Sequence, residues 1–349
     1  MGSSVFCIRA DGNPQVGSGH IMRCLSLADA FQDDGQAVVF VTADDCFQAA
    51  IRKRGYECIV LHTEYDHMED ELPELLPVLQ DIRPRCVLLD SYFVTPDYMA
   101  AVKREAPLVY IDDLNAFDYP ADLVVNYTLY GGKLAYPQNK RYLLGPKYAL
   151  LRREFRNVPQ RNAKEEVKDV LLTTGGADSE HVALRCVQYL WERPEDGTIY
   201  HVVLGGMNQD AAEIERLAVG RAHIVLHRNV SDMRSLMLGC DVAVSAGGTT
   251  LFELCACGVP TVTYVLADNQ IMNAASFEEA GLMLNAGDIR NNHQLLAHIF
   301  EHLEALIQDR PLRQHMAERM QAMVDGNGAM YVVGAMARYH VLPENLGRQ

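Results

Sequence analysis

Short apolar runs alternate with longer amphipathic ones along most of this 349-residue chain. In the first half, "VFCIRA" (5–10), "AVVFVTA" (37–43), "CIVL" (58–61), "CVLLD" (86–90), "LVYIDD" (108–113) and "LVVNY" (123–127) read as strands. They are almost continuously apolar, as strands covered on both faces are. Between the first two, Ile21, Cys24, Leu25, Ala28 and Phe31 recur at helical spacing and predict an amphipathic helix. Strands separated by helices in this way predict a parallel sheet with helices on both sides.

The pattern breaks at "EFRNVPQRNAKEEVKD" (154–169), which is polar, holds a proline and has no apolar period. It restarts with "VLLTTGG" (170–176), "YHVVLGG" (200–206), "HIVLH" (223–227), "VAVSAGG" (242–248) and "TVTYVL" (261–266). The expected fold is α/β, with two doubly wound Rossmann-like domains facing across a cleft. The expected divisions are 1–155, a linker at 156–168, 169–325, and a last helix in 326–349 that packs back on the first domain. In such sheets a ligand binds beyond the strand C-termini, where strand order reverses.

Composition narrows the function. Charged residues make up 22% and hydrophobic ones 49%, as in soluble globular proteins. A formal charge of −15 argues against nucleic acid and anionic membranes as partners, though not against a small anion held by backbone amides. No run approaches the roughly 18 apolar residues of a membrane span, and the N-terminus lacks a signal-peptide pattern, so a cytoplasmic location is expected. The nine scattered cysteines read as reduced thiols; Cys255 and Cys257, spaced C-x-C at a helix end, do not read as a metal site.

Three glycine-bearing turns follow strands and open helices: Gly17 to His20, Gly175 to Ala177, and Gly247 to Thr249. Glycine admits close backbone approach, and the helix N-terminus favours an anion. Together the turns point to a nucleotide-diphosphate site. A third glycine is missing from the first turn and no Walker pattern is present, which lowers nicotinamide and ATP chemistry. In "SAGGTTLFEL", Gly247, Gly248, Thr249 and Thr250 can wrap a pyrophosphate, and Glu253 either accepts the ribose hydroxyls or only favours the helix N-terminus. His20 is either a structural helix-start residue or a general base kept neutral by the positive helix end. "HIFEH" (298–302) matches a zinc-protease pattern, but Leu295, Leu296, Ile299, Leu303 and Leu306 make the apolar face and turn His298 and Glu301 to solvent. The acidic stretch 62–71 reads as a solvated loop, and no G-x-S-x-G elbow is present.

The ordered set "RADGNPQVGSGHIMRC" (9–24), "LLDSY" (88–92), "YALLRREF" (148–155), "LTTGGAD" (172–178), "VAVSAGGTTLFELCACGVP" (242–260) and "DNQ" (268–270) resembles a known family. These are the UDP-2,4-diacetamido-2,4,6-trideoxy-β-L-altropyranose hydrolases of pseudaminic acid biosynthesis, similar in fold to glycosyltransferase-B enzymes. The likeness runs from about residue 5 to 325. It implies metal-independent hydrolysis at the anomeric carbon with inversion, without a cofactor, on a small-molecule UDP-sugar. It implies His20 as base for water, Tyr92 and Asn269 as residues holding sugar and water, and Glu253 as the nucleotide-binding glutamate. Arg9 and Asp11 are expected to shape the sugar pocket, and Gly17, Gly19 and Arg23 join the substrate-binding set with the Gly247–Thr250 turn. A monomer or weak homodimer is expected. The rival readings are a glycosyltransferase of the same fold and a non-catalytic nucleotide-sugar-binding protein.

Overall fold

A computed structural model describes residues 5–339, apart from 177, 194, 196 and 293. The chain forms two compact units, one built from the chain up to Arg153 and again from Gly326 onwards, the other from Glu154–Asp325.

In the first unit, β1 (Val5–Ala10), α1 (Gly19–Asp33), β2 (Ala37–Thr42), α2 (Gln48–Lys53), β3 (Glu57–Val60) and α3 (Leu72–Ile82) come first. Next come β4 (Cys86–Asp90), α4 (Pro96–Glu105), β5 (Leu108–Ile111), β6 (Leu123–Asn126) and β7 (Tyr142–Leu144). The seven strands are parallel in the order β3-β2-β1-β4-β5-β6-β7, so strand order reverses between β1 and β4. Cys7, Val39, Val87, Leu89 and Leu108 pack with Leu75 and Leu79 of α3 and with Tyr98, Met99 and Val102 of α4. The predicted helical stripe of α1 is buried, with Phe31 stacked on Phe6 at 4.1 Å. Truncating such a buried ring costs about 3–5 kcal/mol.

Two local differences from the sequence expectation have physical causes. β5 stops at Ile111 because the Asp112 carboxylate accepts from Leu114 N and Asn115 N, turning the chain out of the sheet. β7 pairs Tyr142–Leu144 with β6 over only three residues, too short to show a period.

The second unit runs β8 (Asp169–Thr173), α5 (Val182–Trp191), β9 (Ile199–Leu204), α6 (Ala211–Ala218), β10 (Ile224–Arg228) and α7 (Met233–Gly239). It continues with β11 (Val242–Ala246), α8 (Thr250–Cys257), β12 (Thr261–Val265), α9 (Asp268–Glu279), β13 (Leu284–Asp288), α10 (Leu295–Gln308) and α11 (Arg310–Met323). Its parallel sheet has the order β10-β9-β8-β11-β12-β13, reversing between β8 and β11. β13, "LNAGD", is a polar strand at the sheet edge, which hid it from an apolar reading. Residues 156–168 hold no helix or strand, and Arg161 ties them to this unit by donating to Cys257 O, Cys240 O and Met237 O at 3.1, 2.8 and 3.0 Å.

The last helix, α12 (Gly328–Arg338), completes the first unit by packing on α1. At Gly328 a Cβ would stand 2.2 Å from Ala149 O, so only glycine permits this approach. Among the described residues, no helix is long and apolar enough to cross a membrane.

Candidate functional site

At the reversal between β1 and β4, the loop after β1 is shaped by Asn13. Its Oδ1 accepts from Gln15 N and Val16 N, both at 3.0 Å, and its carbonyl accepts from Gly17 N at 2.8 Å. Closing that small loop needs the left-handed φ of +77° at Gly17, which glycine adopts without strain. Gly19 opens α1, and a Cβ there would meet nothing within 4 Å. The next residue is His20.

His20 is 7% exposed, and its Nδ1 lies 2.6 Å from Asp90 Oδ1, at the end of β4. An ionised carboxylate only accepts, so it selects the tautomer with hydrogen on Nδ1 and leaves Nε2 with a lone pair. One turn along α1, Arg23 grips the same carboxylate with Nε and Nη2, each at 2.6 Å. Its Nη1 reaches Asp113 at 2.8 and 3.1 Å and Tyr127 O–H at 3.2 Å. Burial alone would raise the Asp90 carboxyl, but Arg23 and His20 outweigh it and hold that group well below the ordinary carboxylate range. Tyr92 donates its hydroxyl to Asp113 at 2.9 Å, and its ring meets that of His20 nearly at right angles, centroids 4.6 Å apart. Burial, reinforced by Asp113, pushes the Tyr92 phenol up, so it keeps its proton.

A recess here is lined by Asp11, Val16, His20, Tyr65, Asp90, Ser91, Tyr92 and Phe93. Arg9, expected in the sugar pocket, does not face it. Arg9 is 0% exposed and donates to Glu71 at 2.8 and 2.5 Å and to Asp11 at 2.6 Å, because a buried guanidinium must be matched on every side. Asp11 lines the recess, but its oxygens already accept from Arg9 and, at 2.8 Å, from Ala43 N. Arg23 is likewise engaged by protein groups through all three nitrogens. Both arginines therefore shape the site from behind.

In the second unit, glycine turns stand at the C-terminal ends of β8, β9 and β11. Gly175 has φ +82°, and Gly205 lies so close that a Cβ on it would be 2.3 Å from Gly175 O. Gly247 donates to Tyr264 O and accepts from Asn273 Nδ2, both at 2.8 Å, which fixes the turn ahead of α8. Gly248 stays open, its nearest Cβ contact being Gln270 Nε2 at 4.0 Å. Thr249 is exposed and its side chain does not cap its own helix. Thr250 starts α8, and Glu253 lies half-buried in the first turn. This is a helix N-terminus with an accessible rim, the arrangement that receives phosphate groups. Asn269 is exposed in the first turn of α9; its neighbour Asp268 pairs with Arg290 at 2.7 Å. The structure therefore brings His20, Tyr92, Asp11, Arg23, Gly17 and Gly19 together in the first unit. Gly247, Gly248, Thr249, Thr250, Glu253 and Asn269 belong to the second.

The zinc-like "HIFEH" lies on α10 with Leu295, Ile299, Leu303 and Leu306 buried, Glu301 exposed, and His298 hydrogen-bonded to Asn292 at 3.0 Å. Among the described residues, no group of three or more histidines, cysteines and acids is placed to hold a metal. Asp90, Asp113 and Tyr127 are the site residues that the sequence reading passed over. Their signal is a carboxylate or phenol at the C-terminal end of an otherwise apolar strand.

Two parallel-sheet α/β units, each with a reversal of strand order, are the glycosyltransferase-B class of fold. The chain matches the structure of Acinetobacter baumannii MurG with a TM-score of 0.71, covering 96% of this chain and 99% of that one at 13% identity. Residues 169–327 match the glycosyltransferase family 28 C-terminal domain. An uncharacterized protein of Methanocaldococcus jannaschii is 28% identical over 76% of this chain, which spans 56% of that relative's length. A UDP-2,4-diacetamido-2,4,6-trideoxy-β-L-altropyranose hydrolase of Campylobacter jejuni is 22% identical over 64% of this chain and 79% of its own.

Proposed function

We propose that the chain hydrolyses a UDP-linked diacetamido-trideoxy sugar, the substrate named for the Campylobacter relative. The observation that carries this reading is the buried His20–Asp90 pair at 2.6 Å, which leaves Nε2 able to take a proton. We assign sugar and attacking water to the first unit, and the nucleotide to the second. The water oxygen forms a bond to C1 while a proton passes to His20 Nε2. The C1–O bond to the diphosphate breaks, and its electron pair leaves with UDP. Asp90 stabilises the imidazolium formed, as the acid of a catalytic triad does without itself taking the proton. Amides at Thr249 and Thr250, at the start of α8, receive the charge on the leaving diphosphate, and Glu253 takes the ribose hydroxyls. Attack by water opposite the leaving group inverts C1. The reading needs no metal, and it suits a soluble monomer or weak homodimer in the cytoplasm.

Purified protein is incubated with the UDP-sugar and a chelator, and UDP and the released sugar's first anomer are followed by NMR. UDP release with inversion is expected. His20→Ala should lower kcat by about 10²–10⁴-fold, the usual range for a general base, with UDP affinity retained. Unchanged turnover in that variant would remove His20 from its role. The second reading is glycosyl transfer, favoured by the fold's likeness to MurG. A histidine held by a carboxylate can deprotonate an acceptor alcohol as well as water. UDP release only when an acceptor is added would select it.

A further inference from the structure

Asp113 has no part in the steps above, yet it ties together two residues that flank His20. It accepts from Arg23 Nη1 at 2.8 and 3.1 Å and from the Tyr92 hydroxyl at 2.9 Å. Arg23 joins Asp90, Asp90 joins His20, and the Tyr92 ring packs T-shaped with that of His20. The side chains thus form a closed ring, of which His20, Asp90 and Tyr92 line the recess while Arg23 and Asp113 stand outside its lining. Its carboxylate is 13% exposed, and Arg23 fixes both of its oxygens.

A phenol has one proton. Given to Asp113, that proton is withdrawn from the recess, and the Tyr92 oxygen presents only acceptor lone pairs there. The His20 tautomer set by Asp90 makes Nε2 an acceptor too. We propose that Asp113 is a positioning residue that makes the nucleophile's seat a pair of acceptors and thereby selects water over alcohols. Water carries two hydrogens, one for His20 and one for Tyr92, and its free lone pair then faces the anomeric carbon. An alcohol carries one hydrogen and leaves one acceptor unmet, which costs about one neutral hydrogen bond. This rests on the hydrolytic reading and adds a physical reason for it.

The experiment measures how the protein divides the UDP-sugar between water and methanol, in the wild type, Asp113→Asn, Tyr92→Phe and the double variant. The wild type is expected to give free sugar almost exclusively. Asp113→Asn can donate to Tyr92 and turn its hydroxyl towards the recess. Its kcat for hydrolysis should fall about 10-fold, with KM within about threefold. Its methyl glycoside to free sugar ratio should rise about 3- to 10-fold, the size of one neutral hydrogen bond. Tyr92→Phe should give the same rise, and the double variant no more than either alone, because the two act through one contact. An unchanged ratio in Asp113→Asn, or additive effects in the double variant, would overturn the proposal.

A second measurement needs no substrate. In protein labelled at tyrosine Cζ, the Tyr92 resonance, assigned with Tyr92→Phe, should move in Asp113→Asn; an unmoved resonance also overturns the proposal. A wild type that releases no UDP fails the hydrolytic reading, whereas a wild type that hydrolyses with an unmoved resonance fails only the role of Asp113.

Discussion

Asp90 accepts from His20 Nδ1, from Arg23 Nε and Nη2, and from the Cys24 thiol at 3.4 Å. A carboxylate satisfied this way is ionised in the native protein at pH values where the unfolded chain is already protonated. Unfolded aspartate titrates near pH ~3.9. The stabilisation is therefore complete well above that value and drains away as pH falls towards the depressed native one. Asp90→Asn should lower stability near neutral pH by about 3–5 kcal/mol, since Arg23 loses part of a buried ion pair. Urea unfolding across pH 5 to 2 should also fall less steeply in the variant. An unchanged slope would mean that another acid governs this limb. At this scale His20 was legible because it stands in a glycine-rich turn ahead of a helical period. Asp90 was not, because its partner lies 70 residues away and the pairing follows only from β1 lying beside β4.

Glycines of the second unit separate two jobs that look alike in sequence. At Gly205 an added Cβ would strike the Gly175 carbonyl at 2.3 Å, so Gly205→Ala should cost about 1–3 kcal/mol, read as a lower midpoint in urea. Gly248 has open space, so Gly248→Ala should leave stability within about 0.5 kcal/mol. It should still weaken UDP binding, measured by calorimetry, by placing a methyl at the phosphate turn. Unweakened binding would move the nucleotide elsewhere. A different element-level effect comes from Asp169, His201 and His227 on β8, β9 and β10. His201 bonds Asp169 at 3.0 Å and His227 at 2.9 Å. Burial, then His201, lowers the His227 pKa below its ordinary value. His227 is thus held neutral in the native form: the stabilisation this carries is present above the unfolded value of about 6.5 and lost as pH falls through the native one. His227→Gln should flatten that decline between pH 7 and 5, measured as the melting midpoint.

Across the whole molecule, the fold class was legible because near-continuous apolar strands and helical stripes repeat in both halves of the chain. The strands it missed, β7 and β13, are short or polar edge strands that carry little apolar signal. The site was legible only in part, since sequence order showed the turns but not which strand ends meet. If the second unit holds the nucleotide, UDP at about 100 times its Kd should stabilise it by about 2.7 kcal/mol. Hydrogen exchange should then slow in β8 and β11 before it slows in β1 and β4. The reverse order would assign the nucleotide to the first unit.

The return of α12 to α1 bears on how the chain is made. A ribosome delivers Val5 to Arg153 first, yet α1 has its last helical partner only after Gly328 has emerged. The second unit lies wholly within the intervening sequence, so it can mature first while the earlier-born unit still exposes the α1 surface that α12 will cover. Domains that fold as units during synthesis normally finish in chain order. Here the expected order is inverted, with the first-made half the last to become protease-resistant. Proteolysis of nascent chains stalled with α12 still inside the exit tunnel should cut the first unit and spare the second; equal resistance of both would show that α12 is dispensable for its completion.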